Sequence, residues 1–121
     1  MDLYDTTLVG LQQAMSGASL RQQVLANNIA NANTPNFKRS DVDFQGVLAQ
    51  AFGNNPTPQS LSRVNFQPDI QSSGGSMQTD GNNVDIDTEM SDLSQNSLDY
   101  QSLSAVMTTR LQILRTAIGN S

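Results

Sequence analysis

Apolar residues recur in heptad steps at both ends of the chain. In residues 1–33, Leu8, Leu11, Met15, Ala18, Leu25, Ile29 and Ala32 fall on a and d positions, with Gln22 as the one polar a position. That spacing predicts an amphipathic helix with a single apolar seam. Asp2 and Asp5 stand where carboxylates complement a helix N-terminus. Gly10 and Gly17 each lower intrinsic helicity by about 1 kcal/mol. The helix is expected to close before Thr34-Pro35, because the residue ahead of a proline is driven out of the α region. A rod of about 28 residues is roughly 42 Å long.

Residues 85–121 repeat the pattern. Leu93, Tyr100, Leu103, Met107, Leu114 and Ala117 continue an a/d series, Asn96 and Arg110 interrupt it, and Leu111 and Ile118 widen the stripe. Asp85, Asp87, Glu89 and Asp92 crowd the start while Arg110 and Arg115 lie near the end, the order a helix dipole favours. Gly119-Asn120 is a plausible stop. Between the two patterns, residues 34–84 are rich in Pro, Gly, Asn and Ser, including a Ser/Gly run at 72–76. Here Leu48 to Phe52 suggests a short helical turn, and Val64 and Phe66 one face of a short strand. The expected fold is mainly α: long N- and C-terminal helices packed as an antiparallel α-hairpin or coiled coil. A long, largely irregular arm with at most a short strand joins them, and the three zones form one domain.

Composition adds a constraint. Ser, Thr, Asn and Gln make up 48 of the 121 residues, charged residues only 14%, and the net charge is −5. An acidic, thinly charged chain is poorly suited to gripping nucleic acid or anionic lipid. With no His and no Cys, imidazole acid/base chemistry, thiol nucleophiles, most zinc sites and disulfides are excluded. The N-terminus lacks the basic n-region of a cleaved secretory signal, and no apolar run is long enough to span a bilayer. The helices themselves are almost free of ions: from Thr6 to Phe37 only Arg21 is charged, and from Leu93 onward only Asp99, Arg110 and Arg115. A free coiled coil lines its e and g positions with Glu and Lys. Amides and hydroxyls at those places tolerate burial against neighbouring copies. The helices are therefore expected to pack inside a larger assembly, and a lone chain to be partly disordered.

Residues 25–39 read LANNIANANTPNFKR. Asn28 and Asn31 share a helix face, Pro35 suits the second position of a tight turn, Asn36 suits the third because it tolerates φ > 0, and Phe37 is expected to fold back as an apolar clamp. An ordinary Asn-rich helix stop accounts for the same residues. The segment resembles the L-A-x-N-I-A-N-x-x-T-P-G-[FY] signature of flagellar basal-body rod, hook and hook-associated proteins. Leu25, Ala26, Asn28, Ile29, Ala30, Asn31, Thr34, Pro35 and Phe37 match, and Asn36 replaces the usual Gly. Lys38 to Phe44, which includes Asp43, is similar to a K-A-R-D-V-D-F stretch of the family's proximal-rod members. Residues 80–90 resemble their D-G-N-x-V-D-x-D-x-E segment, and residues 96–101 their N-S-L-x-Y-Q. Residues 45–76 match none of these motifs.

The resemblance implies a structural subunit of the proximal rod, the drive shaft that crosses the periplasm, rather than an enzyme. It implies helical polymerisation by axial helix packing, transmission of torque from the membrane ring, and a share in lining the export channel. It implies delivery by the flagellar type III export apparatus without a cleaved signal. The implied partners are other copies of the chain, other rod subunits, and the membrane-ring protein and export-gate adaptor at the rod base. No nucleic acid, small-molecule substrate or cofactor is implied. The implied packing residues are Leu25, Asn28, Ile29, Asn31, Thr34, Pro35, Phe37, Asp43 and Phe44 in the signature region. On the C-terminal helix they are Leu93, Tyr100, Leu103, Met107, Leu111, Leu114 and Ile118.

Other chemistry is weakly supported. An EF-hand register from Asp80 needs Gly and Glu where the chain has Asp85 and Ser91, so Asp80-Gly81 reads as a turn and Asp85 or Asp87 as a helix cap. No nucleophile or phosphate loop accompanies the carboxylates. Phe37, Phe44, Phe52 and Phe66 are expected to anchor against neighbouring subunits or to pack the arm locally. Two further readings stay open: another proximal-rod subunit of the same machine, and a soluble helical-hairpin regulator or chaperone.

Overall fold

The structure, a computed structural model, describes residues 5–71 and 77–119. Asp2, the 72–76 run and Asn120 lie outside the described residues. Helix α1 spans Thr6–Ala30. Asp5 caps it, its carboxylate accepting from the Leu8 N–H at 2.7 Å, which satisfies one of the donors a helix start leaves over. Asn31 closes it, its N–H shared between the Asn27 and Asn28 carbonyls at 3.1 and 3.2 Å. The second long helix, running Ile86–Gly119, is capped by Asp85, whose Oδ1 accepts from the N–H groups of Asp87 and Thr88 at 3.1 and 3.3 Å.

The two long helices run antiparallel. Asp5 meets Arg110 at 2.7 Å, the Ala18 carbonyl meets Asn96 at 2.8 Å, and Asn28 meets Glu89 at 3.1 Å, so one number rises as the other falls. The heptad positions of α1 face inward as expected: Leu8, Ala18, Leu25 and Ala32 are buried, and Leu11, Met15 and Ile29 half-buried.

The arm is more ordered than its composition suggests. It holds a strand β1 (Ser40–Asp41), a helix α2 (Phe44–Gly53), a helix α3 (Pro58–Ser62) and a strand β2 (Asp69–Ile70), so the final long helix is α4. Asp43 caps α2, accepting from the Gly46 N–H at 3.0 Å. Pro58 opens α3 behind a reciprocal Thr57–Ser60 capping box. The two strands pair antiparallel, Ser40 opposite Ile70 and Asp41 opposite Asp69. Val64 and Phe66, expected to form a strand, are half-buried against the core outside any strand, with the Val64 N–H turned back to the Leu61 carbonyl at 3.2 Å. Their alternation reflects burial of two side chains; the ladder hydrogen bonds form further along, where the chain draws alongside β1.

The arm packs on a face of α1 beside the seam that α4 covers, and the two faces meet at Ala18 and Leu103. Ala18, Val42, Phe44 and Leu48 form the core cluster, with Ala14, Leu20, Val24, Val64, Phe66 and Leu103 against it. Helix α2 crosses α1 at two glycines. A Cβ at Gly17 would stand 2.5 Å from that of Phe44, and one at Gly10 would strike the tip of the Phe52 ring. The two glycines that weaken α1 as an isolated helix are thus the recesses that seat α2.

Candidate functional site: a polar junction and an exposed helix face

The signature segment forms a socket for the returning arm. After α1, the Phe37 N–H reaches the Thr34 carbonyl at 3.2 Å, closing a turn with Asn36 at φ 61°. This is the left-handed conformation expected of a third turn position, and Asn adopts it at modest cost. Residues 80–84 plug into this turn. The Asn36 N–H donates to the Asp80 carbonyl at 2.9 Å. Gly81, at φ 85°, lies so close that a Cβ there would sit 2.5 Å from Asn36 Oδ1. The buried Asn82 amide donates to the carbonyls of Asn31 and Thr34, both at 2.8 Å, while its oxygen accepts from the Val84 N–H at 2.7 Å. The Asn31 and Thr34 carbonyls, which already accept from the Thr34 and Phe37 N–H groups, thus gain a second donor from a side chain 51 residues beyond Asn31. Thr34 and Pro35 are exposed, Asn31 half-buried and bonded to the Asn27 carbonyl at 2.9 Å. Phe37 is half-buried, its carbonyl accepting from the Asn83 N–H at 3.3 Å.

One turn back, Asn28 is fully buried. Its oxygen accepts from the Ser40 N–H at 3.0 Å and its amide donates to the Ser40 carbonyl at 2.7 Å, so it pairs with β1 much as a neighbouring strand would. The same amide reaches Glu89 at 3.1 Å. Glu89, 1% exposed, also accepts from Arg39. Arg39 bonds Asp41 at 3.2 Å, Arg21 bonds Asp41 at 2.8 Å, and Arg21 approaches Asp92 at 4.0 Å. Asn83 ties in the remaining edge, accepting from the Arg39 N–H at 2.7 Å and donating to the Gln71 carbonyl at 2.6 Å. One network thus joins α1, β1, the end of the arm and the first turns of α4. Each buried carboxylate in it has a guanidinium partner, the condition under which such burial is tolerated.

The charges are mutually reinforcing. Burial pushes the Asp41 carboxyl up, but the bonds from Arg21 and the Val42 N–H, the Arg21 charge and the bond from Arg39 outweigh it and hold the group below the usual carboxylate range. The bond to Asp41 raises Arg21 above its ordinary value. Burial pulls Arg39 down, and its bonds to Glu89 and Asp41 more than offset this. At the far end of the hairpin, the Leu8 N–H and then Arg110 hold Asp5 below its usual value.

Among the described residues, α4 packs along α1 with one side. Leu93, Leu103, Met107 and Leu114 are half-buried along α1, whereas Tyr100, Leu111 and Ile118 stay 39%, 46% and 55% exposed. Arg110 stands opposite Asp5, and Leu111, Leu114 and Ile118 gather with Leu8 and Gln12 around one open hollow. The opposite face carries Gln95, Leu98, Ser102, Ala105, Val106, Thr109, Ile113 and Thr116, all exposed and all uncharged. Among the anticipated residues, Leu25, Asn28 and Phe44 are buried, and Asp43 serves as the α2 cap. Phe44 packs inside its own chain, not outward. Sequence reasoning did not single out Arg21, Arg39, Glu89, Asn82 or Asn83 as a unit. The signal was the match of residues 38–44 and 80–90 as separate segments, which the fold brings together around Asn28.

The sequence model of the family described as "Flagella basal body rod protein" matches residues 11–38, the stretch that builds the seam and the socket. Over nearly its whole length the chain is 38% identical to the flagellar basal body rod protein FlgB of Bacillus subtilis (strain 168), covering 98% of this chain and 97% of that one. It is 34% identical to FlgB of Borrelia hermsii, covering 83% and 86%, and 34% identical to FlgB of Escherichia coli (strain K12), covering 88% of each.

Proposed function

The chain belongs to the FlgB family of flagellar basal body rod proteins, and from that premise we propose how its helices build the rod. It is a structural subunit of the basal body and not an enzyme. Each subunit packs both α4 and the arm on α1, and leaves the outer face of α4 to meet neighbouring subunits. The observation that supports this is the row Leu98, Val106 and Ile113, 58%, 51% and 63% exposed, on a thinly charged face where Asp99, bonded to Gln95 at 3.2 Å, stands at the edge. Such a face is costly in water and suited to burial against further helices. Contacts between unlike faces do not close, so repetition yields a helical tube. Torque passes through many packed side chains, and ordering of the ends is completed as subunits join.

The neighbours in this reading are copies of the chain and other rod subunits, with the membrane-ring protein and the export-gate adaptor at the base. Delivery runs through the flagellar type III apparatus into a periplasmic rod whose channel the subunit helps to line. No helix among the described residues is long and apolar enough to cross a membrane. The reading is tested with Ile113→Asp in cells lacking the native gene. The expected result is a chain that melts like the parent but builds no rod and supports no swimming; rods and motility at parental levels would refute it.

A further inference from the structure

Among the described residues, α4 fully buries two side chains, Glu89 and Asn96, and both are polar. They lie one heptad apart and both bind α1. Asn96 donates to the Ala18 carbonyl and to Gln22 Oε1, each at 2.8 Å. Its own Oδ1 is buried with no hydrogen-bond partner. Leucines at both 22 and 96 would bury more apolar surface and remove the unsatisfied oxygen, so stability does not explain the polar pair here.

Selectivity does. The apolar part of the seam is Leu, Met, Ile and Ala on α1 against half-buried Leu and Met on α4, and it repeats every seven residues, so sliding α4 by one heptad sets apolar side chains on apolar side chains again. The polar contacts do not survive the slide: Asn28 loses Glu89 at the junction, and one heptad along the helix the Gln22–Asn96 pair is parted. In one direction Asn96 moves from Ala18 and Gln22 to Leu11 and Met15, and Gln22 comes to face Glu89. In the other, Asn96 faces Leu25 and Ile29, and Gln22 faces Leu103. We propose that the Gln22–Asn96 pair is a pairing-specificity device. It selects α1 of the same chain, in this register, over slipped pairings and over the helices of other copies, and it does so at a cost in stability. A polymer packed from many nearly uncharged helices needs such a selector before subunits meet. The inference concerns the free chain and stands or falls apart from the assembly proposal.

The chain has no cysteine, so spin labels at Ser19→Cys and Gln95→Cys, both exposed, report the register directly. The parent is expected to give one label separation and to sediment as a monomer. Gln22→Leu with Asn96→Leu is expected to melt no lower than the parent, yet to show a second population displaced by about 10 Å, the rise of seven helical residues, or dimers. Exchanging the pair, Gln22→Asn with Asn96→Gln, restores a single separation. The proposal is overturned if the double leucine chain keeps one parental separation as a monomer, or loses its helicity. An exchanged pair as heterogeneous as the double leucine chain also overturns it.

Discussion

Replacing each α1 glycine by alanine separates helix propensity from packing. Both Gly10→Ala and Gly17→Ala gain about 1 kcal/mol of intrinsic helix stability. What opposes the gain differs. At Gly17 the new methyl meets Phe44 Cβ at 2.5 Å and Cγ at 3.0 Å. Those atoms are tethered to the α2 backbone, and Phe44 is 4% exposed in the core, so no rotamer change clears the clash and α2 must shift. Overpacking of this kind costs about 1–3 kcal/mol, and contact with two inner atoms places it at the upper end. At Gly10 the obstacle is the far end of the Phe52 ring, 43% exposed, which swings toward solvent at little cost. Gly17→Ala is therefore expected to destabilise by about 1–2 kcal/mol, and Gly10→Ala to lie between neutral and about 1 kcal/mol stabilising. Urea unfolding followed by far-ultraviolet circular dichroism measures both. A Gly17→Ala chain as stable as Gly10→Ala, or more so, would refute the docking of α2 through these recesses.

The junction and the charges give two further expectations. Asn28→Ala removes three hydrogen bonds and leaves the Ser40 backbone and Glu89 short of a partner. It should cost about 2–3 kcal/mol in the same urea assay, and a loss under 1 kcal/mol would show that the junction is not a structural centre. The carboxyls of Asp41 and Asp5 are lowered in the folded chain. Their stabilisation is therefore complete above the unfolded value of about 4 and is lost as pH falls through the lower folded values. Melting points recorded downward from pH 6 should fall below pH 4, and Asp41→Asn should flatten that slope; an unchanged slope contradicts the Arg21–Asp41 account.

Much of this architecture is legible in the sequence because its causes are local. The heptads of Leu8 to Ala32, the Asp5 and Asp85 caps and the left-handed Asn36 each depend on residues within a turn or two. The junction is not local. Asn28 finds its partners 12 and 61 residues away, and no periodicity announces an asparagine that will pair with a strand. Gly10 and Gly17 read as helix weakeners because the aromatic rings they admit belong to another helix. The arm looked irregular because α2 and α3 are short and owe their order to docking on α1 rather than to their own propensity.

The central claim is that α4 finds its full complement of contacts among neighbouring chains. Amide hydrogen exchange measured residue by residue, in the isolated chain and in assembled rods, tests it directly. The account predicts slow exchange around Asn28, Ser40 and Glu89 in both states. Beyond Tyr100 it predicts fast exchange in the free chain and strong protection in the rod. Equal protection beyond Tyr100 in both states would contradict it.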